Sequence, residues 1–116
     1  MYGKPTFIQG VFTFEGLGIG VPSKLAAAAT YQVPADKRAQ IVYMRAGSTA
    51  TDLVCLSLVR DGKLMRYFPI GAKQSIHVPL ALTEDVFPES KIEIQISAPK
   101  GVAGTVVLDI GLLEVD

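Results

Sequence analysis

Between Lys91 and Ala98 the chain reads Lys-Ile-Glu-Ile-Gln-Ile-Ser-Ala, with Ile92, Ile94 and Ile96 alternating against Glu93, Gln95 and Ser97. A period of two sends successive side chains to opposite faces, so this stretch is a half-buried β-strand. Comparable runs recur along the chain between Gly, Pro and Asp turn signals, which leaves almost no room for helix.

Thr6 to Glu15 reads as the first strand, apolar on both faces through Phe7, Ile8, Val11, Phe12 and Phe14. Gly16-Leu17-Gly18-Ile19-Gly20 then reads as a flexible bend or interface arm. In Ala26 to Val33 the alanines favour helix, but Pro34 pushes its predecessor toward extended backbone, and we read a strand. Pro34-Ala35-Asp36-Lys37 is a turn with proline at its favoured position. Ala39 to Ala46 follows as a strand, with Ile41 and Tyr43 expected on one face and Val42 and Met44 on the other. After a polar loop over Gly47 to Asp52, Leu53 to Val59 and Leu64 to Ile70 flank Asp61-Gly62, a hairpin signal. Ser75 to Leu82 aims Ile76, Val78, Leu80 and Leu82 one way, and Pro79 demotes it to an edge strand or a strand broken midway. Thr83 to Glu89 reads as a loop with room for one helical turn, and Gly104 to Val115 as a long strand apolar on both faces.

These are eight strands at a spacing of roughly 8 to 12 residues, the signature of an antiparallel sandwich or barrel. The expected fold is all-β, a single eight-stranded antiparallel β-sandwich of jelly-roll type. Residues 1–24 form its N-terminal strand and Gly-rich arm, and residues 25–116 its body. Ile92, Ile94, Ile96, Leu56, Leu58, Val78 and Leu80 are the expected shared core.

At 116 residues the chain makes one domain able to bury about 65% of its unfolded surface. Eleven basic side chains balance eleven acidic ones, so neither nucleic acid nor an anionic membrane is an expected partner. No apolar run reaches the roughly 18 residues of a membrane span, and Met-Tyr-Gly-Lys-Pro-Thr lacks the blocks of a signal peptide. The single Cys55 excludes an internal disulfide and fits synthesis in a reducing cytoplasm. Hydrophobic residues reach 49% against 19% charged, more than one small core needs, so the surplus must face something.

No constellation for chemistry emerges. His77 is the only histidine, and it sits in a strand, so neither a hydrolytic triad nor a histidine-rich metal site can be assembled. Cys55, between Val54 and Leu56, reads as an inert buried thiol. Glu84, Asp85 and Glu89 match no calcium loop and read as a solvated acidic loop. Gly16 to Gly20 lacks the remainder of a nucleotide-binding glycine motif and opens no helix. Arg38, Arg45, Arg60, Lys63 and Arg66, with Tyr43 and Tyr67 among them, read as ordinary surface charge. Asp109, in an apolar strand, is expected to face solvent or to pair with Arg45 or Arg66 within an interface. We assign no catalytic, cofactor-binding or metal-ligating residue.

The run Ala29-Thr30-Tyr31-Gln32-Val33-Pro34-Ala35-Asp36-Lys37-Arg38-Ala39-Gln40-Ile41-Val42 resembles the opening of small jelly-roll or β-sandwich virion proteins of tailed bacteriophages. The Asp-Gly hairpin, the strand ending near Leu82, Asp85, the alternating strand and the closing Gly-Thr-Val-Val run are similar in phase. The resemblance implies a structural protein without catalytic residues, a capsid decoration (cement) or head-fibre protein. Its implied partners are copies of itself, usually as a homotrimer, and the major capsid protein lattice. It implies a place on the virion surface after synthesis in the host cytoplasm.

Two alternatives stand beside this expectation. A carbohydrate- or receptor-binding module of a tail or fibre is weakened by the absence of Trp, because sugar platforms use exposed aromatic rings. A cupin-like enzyme needs a cluster of His and carboxylate ligands that one histidine cannot supply. The two-faced end strands locate the expected interface. One face of each is left over once a two-layer sandwich is closed. Phe7, Val11, Phe14, Leu17, Ile19, Val107 and Leu113 are the expected contact residues, within Met1 to Gly20 and Gly104 to Val115.

Overall fold

The computed structural model describes residues 3–80 and 84–116, and it places ten strands and no helix among them. In chain order these are β1 (Lys4–Glu15), β2 (Gly18–Lys24), β3 (Thr30–Gln32), β4 (Arg38–Ser48), β5 (Val54–Arg60), β6 (Lys63–Ile70), β7 (Ser75–Pro79), β8 (Asp85–Val86), β9 (Lys91–Ala98) and β10 (Ala103–Val115). One five-stranded sheet runs β1-β10-β4-β7 with β8 also on β4. The other runs β2-β9-β5-β6 with β3 also on β9. All pairings are antiparallel. The chain repeatedly crosses between the sheets, the arrangement of a jelly-roll sandwich, and the expected fold class holds with ten strands rather than eight, since β2 and β8 form in segments expected as arm and loop.

The core forms where alternation predicts it. Ile92, Ile94 and Ile96 of β9 and Leu56 and Leu58 of β5 are buried against Val106, Leu108, Ile110 and Leu112 of β10. Val78 and Leu80 reach only the margin of that core and stay half-buried, because β7 is an edge strand. Ala81 and Leu82, the end of the expected strand, lie outside the described residues, as does Thr83.

Four local features depart from the sequence reading. The arm over Gly16 to Gly20 is tied down. Gly16 N–H donates to the Val102 carbonyl at 2.6 Å, Gly101 N–H donates to that of Gly16 at 3.0 Å, and β2 follows. Its glycine serves close approach rather than flexibility, since a Cβ at Gly16 would run into the Pro99 and Ala98 carbonyls. Over Ala26 to Val33 only Thr30–Gln32 is strand; Ala26 to Ala29 closes a turn with Ala29 N–H on the Ala26 carbonyl at 3.1 Å. Asp85–Val86, expected in a loop, pairs with β4.

The fourth departure is a β-bulge in β4. Pairing passes from Gly111–Tyr43 directly to Leu112–Ile41, so Val42 has no partner on β10. The extra residue inverts the phase, and Ile41 and Met44 both point inward while Val42 is exposed. The expected pairing of Ile41 with Tyr43 on one face is thereby corrected. Tyr31 of β3 donates its O–H to the buried Glu114 carboxylate of β10, a polar clasp between the two sheets.

Candidate functional site

The bulge matters because it turns Tyr43 outward, onto the solvent side of the first sheet. Register then sets two rows there: Gln9, Asp109, Arg45 and His77 in one, and Phe7, Gly111, Tyr43 and Pro79 in the next. The Tyr43 ring lies flat across Gly111, where a Cβ would overlap the ring. Gln9 Nε2 and the Tyr43 hydroxyl each donate to Asp109 Oδ1 at 3.1 Å, and Arg45 pairs with Oδ2. The Arg45 guanidinium also sits 5.3 Å from the Tyr43 ring centroid, in cation–π range. His77 meets the same ring edge-on at 6.1 Å.

Asp109 is therefore the hub of a closed network. Its desolvation pushes the carboxyl up, but the bonds from Arg45, Gln9 and Tyr43, with the charge of Arg45, outweigh that and hold it below the usual carboxylate range. The Tyr43 hydroxyl is pushed up by burial and by donating to Asp109. The network leaves no group poised as a free acid, base or nucleophile. Beside it, an open groove of about 630 Å³ is lined by Arg45, Gly47, Ser75, His77, Val107 and Asp109.

Apolar side chains flank this row. Phe7 and Val11 of β1 and Val107 of β10 are 51%, 68% and 54% exposed, with Val11 directly opposite Val107 in the ladder. Three expected contact residues thus share one outward face. Leu113 is on the same side but half-buried, with Gly3 of its own chain against it. Leu17 and Ile19 are exposed elsewhere, on and just before β2. There the strand leaves β9 between Gly18–Ala98 and Ser23–Ile96 and carries Ile19 to Pro22 out as a bulge. Phe14 is the exception. Alternation along β1 turns it to the inner side with Ile8 and Phe12, half-buried against the core, so it does not share the outward face of Phe7 and Val11.

The remaining candidates disperse. The Cys55 thiol is half-buried, and burial pushes its pKa up, away from the reactive thiolate. Asp85 is held by Arg38 at 2.7 Å and Gln40 at 3.0 Å, and Glu84 by Arg66 at 3.5 Å, so these carboxylates serve ion pairs. Arg38 and Arg45 belong to the first sheet, and Arg60, Lys63 and Arg66 to the second, so they do not form one patch. Among the described residues no three of His, Cys, Asp and Glu converge as a metal site. Sequence reasoning left Asp109 to solvent, Arg45 or Arg66, and the structure pairs it with Arg45. It missed Tyr43 and Gln9, whose outward register follows from the bulge and from the β1–β10 pairing.

No protein-family model matches the chain, and no curated protein does. Among solved structures it is similar to the CBM36-1 domain of a multidomain xylanase from the hindgut metagenome of Trinervitermes trinervoides. That match has a TM-score of 0.61 at 14% identity over 95% of this chain and 96% of that one. It is also similar to a chain of the infectious bursal disease virus Gt strain, with a TM-score of 0.50 at 12% identity over 97% of this chain and 32% of that one. At these identities the likeness is one of fold, and the fold is the jelly-roll β-sandwich.

Proposed function

We propose that the chain is a non-enzymatic structural virion protein of the capsid decoration type, which associates with copies of itself and with a capsid lattice. The observation that carries this reading is the outer face of the first sheet. Phe7, Val11 and Val107 stand exposed there around Asp109, whose carboxylate is already bonded within the chain by Gln9, Tyr43 and Arg45. Covering such a patch removes apolar surface from water at about 25 cal/mol per Å². A carboxylate paired in this way enters an interface without being left unpaired. The likeness to a virus chain is compatible with the same use of the fold.

The test is native mass by sedimentation equilibrium, alone and with capsid shells. Wild-type protein is expected to self-associate and to co-sediment with a matching shell. Val11→Asp and Val107→Asp are expected to lose both while keeping the far-ultraviolet circular dichroism of a β-protein. A wild-type chain that stays monomeric and binds no shell overturns the reading.

A second reading, a carbohydrate-binding module of a tail or fibre, is favoured by the groove beside Asp109, Arg45 and His77 and by the fold likeness to the CBM36-1 domain. Saturable binding of soluble oligosaccharides that is lost in His77→Ala and retained in Val11→Asp is the outcome that would select it.

A further inference from the structure

A sheet edge offers unpaired backbone groups to any passing strand, and most edges are blunted by shortness, charge, proline or a bulge. The described edges of this sandwich follow that rule with one exception. β7 is five residues long and ends at Pro79. β6 carries Lys63, Arg66 and Pro69 and breaks register opposite Leu58 and Val59. The β2 edge bulges away from β9 over Ile19 to Pro22 and ends in Lys24. β1 confines its devices to its ends, at Lys4, Pro5 and Glu15: Thr6 to Phe14 carries no charge, proline or bulge, and the whole strand pairs with β10 in unbroken register.

We infer that the free edge of β1 pairs antiparallel with β1 of a second copy about a two-fold axis at Gln9, joining two first sheets into one continuous sheet. The inference rests on the reading that the chain self-associates, and it specifies the contact. The strand's own sequence points to a second copy as the occupant. Centred on Gln9, the pairing sets Phe7 opposite Val11 of the second copy, twice, so the two exposed apolar side chains of each β1 cover one another. Centring on Gly10 would instead set Phe7 against Thr13 and Val11 against Gln9, apolar against polar. Lys4 and Glu15 close the two ends of an otherwise uncharged strand. In-register parallel pairing would set Lys4 beside Lys4 and Glu15 beside Glu15 on one face, which the antiparallel register avoids. A two-fold contact closes on itself, so it yields a dimer where the phage resemblance implies a trimer.

Disulfide trapping tests the contact in the full chain. In a Cys55→Ser background, Gln9→Cys places its thiols face to face on the axis and is expected to form a covalent dimer under mild oxidation. Thr13→Cys in the same background faces Pro5 of the second copy and is expected not to. Hydrogen exchange supplies an independent readout. Alternate amides of β1 bond to β10 in any state, and the intervening ones are protected only in the paired dimer, so dilution should expose one alternate set. A species that sediments as a monomer overturns both this contact and the assembly reading. An oligomer in which Gln9→Cys fails to link, or in which alternate β1 amides exchange freely, overturns the contact and leaves the assembly reading standing. Linking of Thr13→Cys as efficient as that of Gln9→Cys overturns the register, and with it the proposal.

Discussion

Asp109 is a residue whose chemistry the fold has changed. Its carboxyl is depressed below its ordinary value, so folding favours the ionised form. The stability this contributes is fully present above the unfolded carboxylate pKa of about 3.9 and is lost as pH falls through the lower folded value. Urea denaturation between pH 5 and about 2 should show that loss in the wild type and a shallower pH slope in Asp109→Asn. Gly111 is the second informative position, because the Tyr43 ring occupies the space a side chain would need. Gly111→Ala is expected to cost about 1–3 kcal/mol through overpacking and to displace the Tyr43 hydroxyl from Asp109, both measurable by chemical denaturation and by the tyrosine titration. His77→Gln should leave folding and self-association intact, since that ring rests edge-on against Tyr43 and reaches no buried partner. Loss of assembly in a folded His77→Gln protein would assign that ring a role the outer-face reading lacks.

At the scale of the element, β9 was legible because each isoleucine had to be inward for any of them to be, and all three are buried. Ile94→Ala should cost about 2–5 kcal/mol by removing a fully buried side chain between the layers, read as a shift in the denaturation midpoint. Strand β4 was legible in its extent but not in its phase. A bulge depends on what the neighbouring strand offers, and the alternation of Ile41 with Tyr43 carries no mark of the skipped residue at Val42. β2 was hidden for a related reason, since a glycine-rich stretch is flexible alone and becomes strand only where β9 and the β9–β10 turn hold it. The clasp between β3 and β10 joins residues 83 positions apart, which no local pattern reports. Tyr31→Phe leaves the buried Glu114 carboxylate without its hydroxyl donor and should cost about 1–3 kcal/mol, with the two sheets loosening together in hydrogen exchange.

As a whole the molecule is elongated, about 46 × 24 × 22 Å, with two sheets of five strands enclosing one core. That geometry gives every strand an inner and an outer side, and the outer side of the first sheet carries part of the apolar surplus at Phe7, Val11 and Val107, while Leu17, Ile19, Leu53 and Leu64 are exposed elsewhere. The fold class, the β9 core and the existence of an uncovered apolar surface are written in the chain. These follow from local alternation and from a count of apolar residues that one thin sandwich cannot hide. Which of those residues share a face is set by the assembled sheets, because facing depends on inter-strand register. Phe14 and Phe7 look equivalent in the chain, yet they stand on opposite sides of one strand. The same assembly gathers Gln9, Tyr43, Arg45 and Asp109, since hydrogen bonds across three strands require the pairing of β1, β10 and β4 to exist first.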